Sequence, residues 1–176
     1  MTPADLREWL EGHIGDIFTF MDYEATLQGD DEFRDELHEY WFAGDGPEDR
    51  GYRFVHLGHD GSGGQFAAWI KPGSPQIPVV FFGSEGGVGV MVSSLERWPA
   101  VLTHAPWISE EHDEPSSVTD VVSSALEDGD EEALEALERY RVAYTERFGP
   151  APALSELLTG LGELNDEFRG WIETDA

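Results

Sequence analysis

Residues 78–92 read Pro78-Val79-Val80-Phe81-Phe82-Gly83-Ser84-Glu85-Gly86-Gly87-Val88-Gly89-Val90-Met91-Val92, and this stretch decides the fold of the 176-residue chain. The continuous apolar run at 78–82 predicts a central β-strand with both faces covered. The glycine-rich residues 83–87 predict a turn, and the apolar residues 88–92 predict the returning strand. The stretch is therefore predicted to form a β-hairpin.

A second hairpin is predicted immediately before this one. Tyr52-Arg53-Phe54-Val55-His56-Leu57 alternates as a half-buried strand does, with Tyr52, Phe54 and His56 on one face. Asp60-Gly61-Ser62-Gly63-Gly64 is typical of a hairpin turn, and residues 65–70 suit the return strand. Two successive hairpins predict an antiparallel meander of at least four strands.

Helices are predicted on both sides of this sheet. Apolar residues recur at helical spacing in residues 3–11, 30–42, 130–148 and 153–172, and less clearly in residues 14–28 and 118–127. In the second of these segments the predicted apolar stripe is Phe33, Leu37, Tyr40 and Trp41. In the third it is Leu134, Leu137, Tyr140, Tyr144 and Phe148, and in the fourth it includes Leu157, Leu161, Leu164, Phe168 and Trp171. Ser93-Ser94-Leu95-Glu96 resembles a capping box that opens a short helix containing Pro99. The charged residues 109–117 suggest a solvated loop.

These elements predict an α+β fold in which an antiparallel meander sheet is flanked by N-terminal helices and followed by a helical C-terminal extension. We expect a single domain over residues 1–176, with a core at about 1–108 and an acidic helical extension at about 118–174. A chain of this length suits one domain.

Charge is distributed unevenly along the chain. The net charge is -27, and all of the excess lies outside residues 51–108, which carry three acids and three bases. Nucleic acid and anionic membrane surfaces would be repelled, whereas a basic protein would be attracted. Acidity that serves only solubility is the alternative interpretation.

The predicted location of the protein follows from the absence of cysteine, of a signal peptide and of an apolar membrane-spanning run in the sequence. The chain has no cysteine, which excludes disulfides and thiolate metal sites. Its first residues do not resemble a signal peptide, and no apolar run approaches the ~20 residues that cross a bilayer. We expect a cytoplasmic protein that does not associate with membranes.

The motifs that could support catalysis are incomplete. The glycine-rich residues 83–89 lack the Lys-Ser/Thr of a phosphate loop and lead into a strand. His56 and His59 are three residues apart, which on a regular strand points them to opposite faces, although a turn could bring them together with Asp60, His104 or His112. Ser62 lies outside a Gly-x-Ser-x-Gly elbow. We therefore expect no catalytic residues, no bound metal and no cofactor.

The middle of the chain resembles the SUKH superfamily, which includes bacterial immunity proteins for polymorphic toxins and the yeast cell-wall assembly regulator. The resemblance covers roughly residues 50–105. It lies in Phe54-Val55-His56-Leu57-Gly58-His59-Asp60-Gly61-Ser62-Gly63-Gly64-Gln65-Phe66-Ala67, in Pro78-Val79-Val80-Phe81-Phe82-Gly83-Ser84-Glu85-Gly86 and in Val90-Met91-Val92-Ser93-Ser94-Leu95. It implies an α/β domain with an antiparallel sheet, no catalytic residues and a function in protein binding. The acidic segments from residue 118 onward are longer than a minimal member of the family needs.

The hypothesis from sequence is a non-enzymatic protein-binding module, such as an immunity protein that neutralises a basic, nuclease-like toxin. An intracellular regulatory scaffold is one alternative, and a hydrolase or metal enzyme that uses His56, His59 and Asp60 is another. The aromatic residues of Tyr40-Trp41-Phe42 and Trp98 are candidate anchors. The oligomeric state is left open. The predicted partner contacts lie where acids are dense, at Asp30, Asp31, Asp35, Glu131, Glu132 and Glu135.

Overall fold

The computed structural model describes residues 1–13, 29–42, 47–59, 63–110, 118–123 and 131–173. Its helices are α1 (Pro3–His13), α2 (Asp30–Tyr40), α3 (Trp98–Leu102), α4 (Glu131–Phe148), α5 (Leu154–Leu157) and α6 (Gly162–Glu173). Its strands are β1 (Arg53–His59), β2 (Gln65–Ile70), β3 (Val79–Phe82), β4 (Val88–Val92), β5 (Pro106–Glu110) and β6 (Val118–Ser123). Single 3₁₀ turns at Pro47–Arg50 and Leu95–Arg97 precede β1 and α3. The predicted helix at 14–28 lies outside the described residues.

Strands β1 to β4 form one antiparallel sheet in the order β1-β2-β3-β4. The turn between β3 and β4 is closed by the backbone N–H of Gly83, which donates to the carbonyl oxygen of Gly87 at 2.7 Å. Gly86 has φ +93°, a left-handed conformation that glycine adopts without steric cost. The predicted meander and the α+β class are confirmed.

Both faces of this sheet are covered, which is less common for an antiparallel sheet. Val79 and Phe81 face a first core, whereas Val80 and Phe82 face a second core on the opposite side. This confirms the prediction made for residues 78–82. Helices α1, α3, α4 and α5 supply the first core with Leu6, Trp9, Leu10, Trp98, Val101, Tyr140, Tyr144 and Leu157. Helices α2 and α6 supply the second with Phe33, Leu37, Phe168, Trp171 and Ile172.

Polar contacts as well as apolar packing fix α6 to the sheet. The backbone N–H of Val90, on the edge strand β4, donates to Asn165 Oδ1 at 2.7 Å. Lys71 Nζ donates to both carboxylate oxygens of Glu167, at 2.8 and 3.0 Å, and lies 4.8 Å from the centre of a Trp69 ring. The edge strand and the end of β2 are therefore both joined to the C-terminal helix.

The helix predicted at 118–127 is wrong over its first six residues. Val118–Ser123 is strand β6, which pairs with β5 so that Trp107 lies opposite Val122 and Ile108 opposite Val121. Valine is β-branched and suits a pleated strand, and the pairing with β5 satisfies the backbone of the segment. Residues 109 and 110, expected in a loop, belong to β5, and residues 111–117 lie outside the described residues.

The single helix predicted at 153–172 is also wrong, because the segment is divided into α5 and α6. Gly160 has φ +77°, which a right-handed helix cannot contain. Phe168 and Trp171 nevertheless reach the second core, as their spacing predicted. Ser94 is the N-cap residue of the 3₁₀ turn that precedes α3 and makes no side-chain capping hydrogen bond. Pro99 lies in the first turn of α3, where a missing N–H is tolerated.

Among the helices in the described part of the chain, none combines the length and the apolar character that crossing a membrane requires.

Candidate functional site

The six predicted contact residues lie on two separate surfaces. Asp30, Asp31 and Asp35 belong to α2, and Glu131, Glu132 and Glu135 belong to α4. Helix α2 packs on the second core and α4 on the first core, so the sheet separates the two sets. The side chains of Asp31, Asp35 and Glu135 are exposed, whereas those of Asp30, Glu131 and Glu132 lie outside what the structure describes. One flat partner surface could not contact both sets at once.

The outward side of α2, which we call the α2 surface (Asp31, Arg34, Asp35, His38 and Glu39), carries the higher density of negative charge. Helix α2 contains six acidic residues and Arg34 as its one arginine or lysine. Arg34 Nη1 donates to Asp31 Oδ1 at 2.9 Å and Nη2 to Asp35 Oδ1 at 3.1 Å. The hydrogen bond to Asp35 and the charge of Asp31 raise the pKa of Arg34. The one guanidinium of the helix is therefore engaged within it, and a surplus of exposed carboxylates remains.

A shallow groove runs between α2 and the 3₁₀ turn at Pro47–Arg50. It is lined by Arg34, Asp35, His38, Glu39 and Glu48. His38 Nε2 lies 3.0 Å from Glu48 Oε2 across the groove. A basic side chain of a partner would meet carboxylates on both sides of this groove.

Among the candidate aromatic anchors, Tyr40 alone is exposed. It is 70% exposed and is the last residue of α2. The prediction that Tyr40 packs inward with Phe33 is therefore wrong. Trp41 is half-buried against Phe82, and Phe42 and Trp98 are buried, so these three are structural.

Helix α4 has a second stripe that was not recognised in the sequence. Glu135, Glu138, Arg139, Val142, Ala143 and Glu146 line a shallow surface groove. Val142 is 57% exposed at its centre, and Leu134 and Phe148, which were expected in the core stripe, are 39% and 37% exposed. We call these six groove-lining residues the α4 surface. The i, i+3, i+4, i+7, i+8 spacing was visible in the sequence, but Leu137, Tyr140 and Tyr144 form a more apolar stripe on the same helix.

His56 and His59 lie on the same side of β1, contrary to the prediction for a regular strand. A β-bulge between His56 and Gly58 shifts the register, and the two rings stack with centroids 6.3 Å apart. His56 is fully buried, and its Nε2 lies 2.7 Å from Gln65 Oε1, while Gln65 Nε2 donates to Glu36 Oε1 at 3.2 Å. Since the amide oxygen accepts, His56 donates from Nε2. Burial lowers the pKa of His56 from 6.5 to about 4.

His56 belongs to the buried interior, and the ring of Phe33 lies 4.7 Å from its ring. A substrate could not reach His56 without opening the second core. His104 lies elsewhere and contacts the carbonyl oxygen of Pro152 at 2.8 Å. Within the described ranges, no group of three or more His, Cys, Asp or Glu is placed to hold a metal ion. Asp60, Ser62 and His112, named as possible partners from sequence, lie outside those ranges.

Comparison of the chain with protein-family models, curated proteins and solved structures found no match.

Proposed function

We propose that the chain is a non-enzymatic protein-binding module that engages a basic protein through its exposed acidic helix faces. The observation that carries the proposal is the α2 surface, where Arg34 is held between Asp31 and Asp35. The side chains of Glu32 and Glu39 on the same helix are also exposed. Complementary charge accelerates association and disfavours anionic partners such as nucleic acid.

We propose that the partner is a nuclease-like toxin and that the chain is its immunity protein. A nuclease presents a basic surface to its substrate, and an exposed row of carboxylates can occupy that surface in place of phosphates. The resemblance of residues 50–105 to the SUKH superfamily supports the same assignment. A regulatory scaffold that binds a basic protein of its own cell is the alternative, and the identity of the partner separates the two.

A non-enzymatic role is supported by the burial and hydrogen bonding of His56 in the sheet. His56, the acid–base candidate with the largest change in pKa, is buried and hydrogen-bonded to Gln65 rather than open to a cleft. General acid–base catalysis needs a group within hydrogen-bond reach of substrate.

The proposal is tested by capturing proteins from the lysate of the source organism with the immobilised full chain, identified by mass spectrometry. Two triple variants use the separation of the surfaces: Asp30→Asn, Asp31→Asn and Asp35→Asn on α2, and Glu131→Gln, Glu132→Gln and Glu135→Gln on α4. A third variant with Glu156→Gln, Glu163→Gln and Asp166→Asn removes three exposed carboxylates outside α2 and α4, and it controls for the overall loss of charge.

We expect one predominant basic protein, with an association rate on the order of tenfold lower for the α2 variant at low salt. Loss of binding in the same measure with the third variant as with the α2 variant would indicate a general effect of charge rather than a binding surface. Capture of no basic protein by the wild-type chain would contradict the proposal.

A further inference from the structure

The centre of the α4 surface is apolar and faces away from the core. With about 100° of rotation per residue, Val142 lies on the side of α4 opposite the buried Tyr140 and Tyr144. Val142 and the neighbouring Ala143 are the apolar residues that line the groove. At the same rotation per residue, Glu138 and Glu146 lie to either side of Val142. Val142 is 57% exposed on the longest helix among the described residues, so folding buries less than half of its side chain and a partner that covers it would bury the rest.

Two of the glutamates around Val142 form exposed ion pairs with arginines of the same helix. Glu135 lies 4.0 Å from Arg139 Nη1, and Glu138 Oε1 accepts a 2.6 Å hydrogen bond from Arg141. Glu135, Arg139 and Glu138 are more than half exposed, so these surface pairs contribute little and the glutamates can exchange them for intermolecular pairs. Arg141 is held independently, because its Nε donates to the carbonyl oxygen of Thr103 at 2.8 Å. Three glutamates and Arg139 give the α4 surface a net charge of -2.

A second copy of the chain is a poor occupant for this surface. An antiparallel pairing of two copies centred on Val142 opposes Glu138 of each copy to Glu146 of the other. A parallel pairing opposes each glutamate to its own equivalent. Like charges directly opposed disfavour association, and the net charge of -27 adds to the repulsion between copies.

We propose that the α4 surface is a docking site for a helix of the basic partner, one that presents a narrow apolar stripe flanked by Arg or Lys. This inference rests on the proposed function and specifies how the partner is held. An apolar stripe would cover Val142 and Ala143, and cationic side chains on its two sides would meet Glu135, Glu138 and Glu146. Recognition of an amphipathic helix by an apolar groove is a recurring mode of binding.

The test uses the full chain and a fluorescently labelled helical peptide with one stripe of Leu flanked by Lys and Arg. A peptide with the same Leu stripe flanked by Glu is its control. Val142→Ser removes the apolar centre from an exposed position with little change in helix propensity. Glu138→Gln with Glu146→Gln removes two charges while leaving an acceptor for Arg141. Glu163→Gln with Asp166→Asn removes two exposed charges from α6, outside both the α2 and α4 surfaces, and serves as the matched control.

By fluorescence anisotropy at low salt, we expect Val142→Ser to weaken binding of the basic peptide roughly tenfold. Glu138→Gln with Glu146→Gln should weaken it roughly fivefold, and the α6 control less than about twofold. Equal loss with the α6 control, equal binding of the acidic peptide, or no binding of the basic peptide would each overturn the inference.

The natural partner separates this inference from the proposed function. If Val142→Ser retains the captured basic protein at the wild-type level while the α2 triple variant loses it, the α4 docking site is wrong and the binding function stands. If the wild-type chain captures no basic protein, the proposed function itself fails.

Discussion

Substitution of His56 by glutamine should change how stability depends on pH. His56 is fully buried between β1 and β2, with Nε2 donating to Gln65 and the rings of Phe33 and His59 against it. His56→Gln keeps a hydrogen-bonding side chain at this position and removes the group that titrates. Glu36, which accepts from Gln65, is present in both proteins.

The magnitude follows from the pKa of His56, which burial lowers from 6.5 to about 4. The unfolded chain takes up a proton below pH 6.5, whereas the folded chain does so only near pH 4. The stability associated with neutral His56 is therefore fully present above pH 6.5 and is lost as the pH falls to about 4. One pKa unit corresponds to about 1.4 kcal/mol, so the loss is about 3 kcal/mol between those limits.

The assay is urea unfolding of wild type and His56→Gln at a series of pH values from 7 to 4, followed by tryptophan fluorescence. Carboxylate titration affects both proteins, so the quantity to compare is the difference between their free energies of unfolding. We expect wild type to lose about 3 kcal/mol relative to the variant as the pH falls. Parallel curves for the two proteins would refute the argument that His56 is held neutral by burial.

Three further predictions concern the sheet and its connections, and all are measured as free energies of unfolding in urea. Phe81→Ala should cost about 3–5 kcal/mol because the ring is fully buried against Phe66, and a cost below 1 kcal/mol would contradict its place in the core. Gly86→Ala should cost about 1–2 kcal/mol from its positive φ alone, since an added Cβ meets no atom within 4 Å. Gly12→Ala, equally uncrowded but in helix α1, is its control and should stabilise by up to about 1 kcal/mol; equal effects at the two sites would be inconsistent with this argument. Lys71→Met should cost about 1 kcal/mol at low salt by removing the bond to half-exposed Glu167, and a cost that does not fall with salt would argue against an ion pair.

The sheet could be predicted from sequence because its signals are local. Residues 78–92 contain a run of apolar residues, a glycine turn and a second apolar run, and each signal specifies its own element. The assignment of Val79 and Val80 to opposite cores follows from the two-residue period of a strand.

The errors occurred where a local pattern was compatible with two structures. Val118, Val121 and Val122 fit one side of a helix, and only the pairing with β5 makes the segment a strand. The division of α5 from α6 depends on the positive φ of Gly160. The φ of an isolated glycine in a helical pattern cannot be predicted from the sequence alone.

The candidate surfaces were predicted less completely than the fold. Charge density alone identified Asp31, Asp35 and Glu135, but not that α2 and α4 lie on opposite faces of the sheet. The register change before Gly58 places His56 beside His59, and a β-bulge of this kind has no clear signature in the sequence. The exposure of Val142 could not be predicted, because the sequence does not show whether Val142 belongs to the neighbouring core stripe of α4.

The central claim is that exposed carboxylates of this chain bind a basic protein, and its most direct test is the association rate with the captured partner at rising salt. Wild type and the α2 triple variant are compared by stopped-flow fluorescence. We predict a rate for wild type that falls steeply with salt and approaches the slower, less salt-dependent rate of the variant, because screening removes electrostatic steering. A wild-type rate that is independent of salt and equal to that of the variant would contradict the claim.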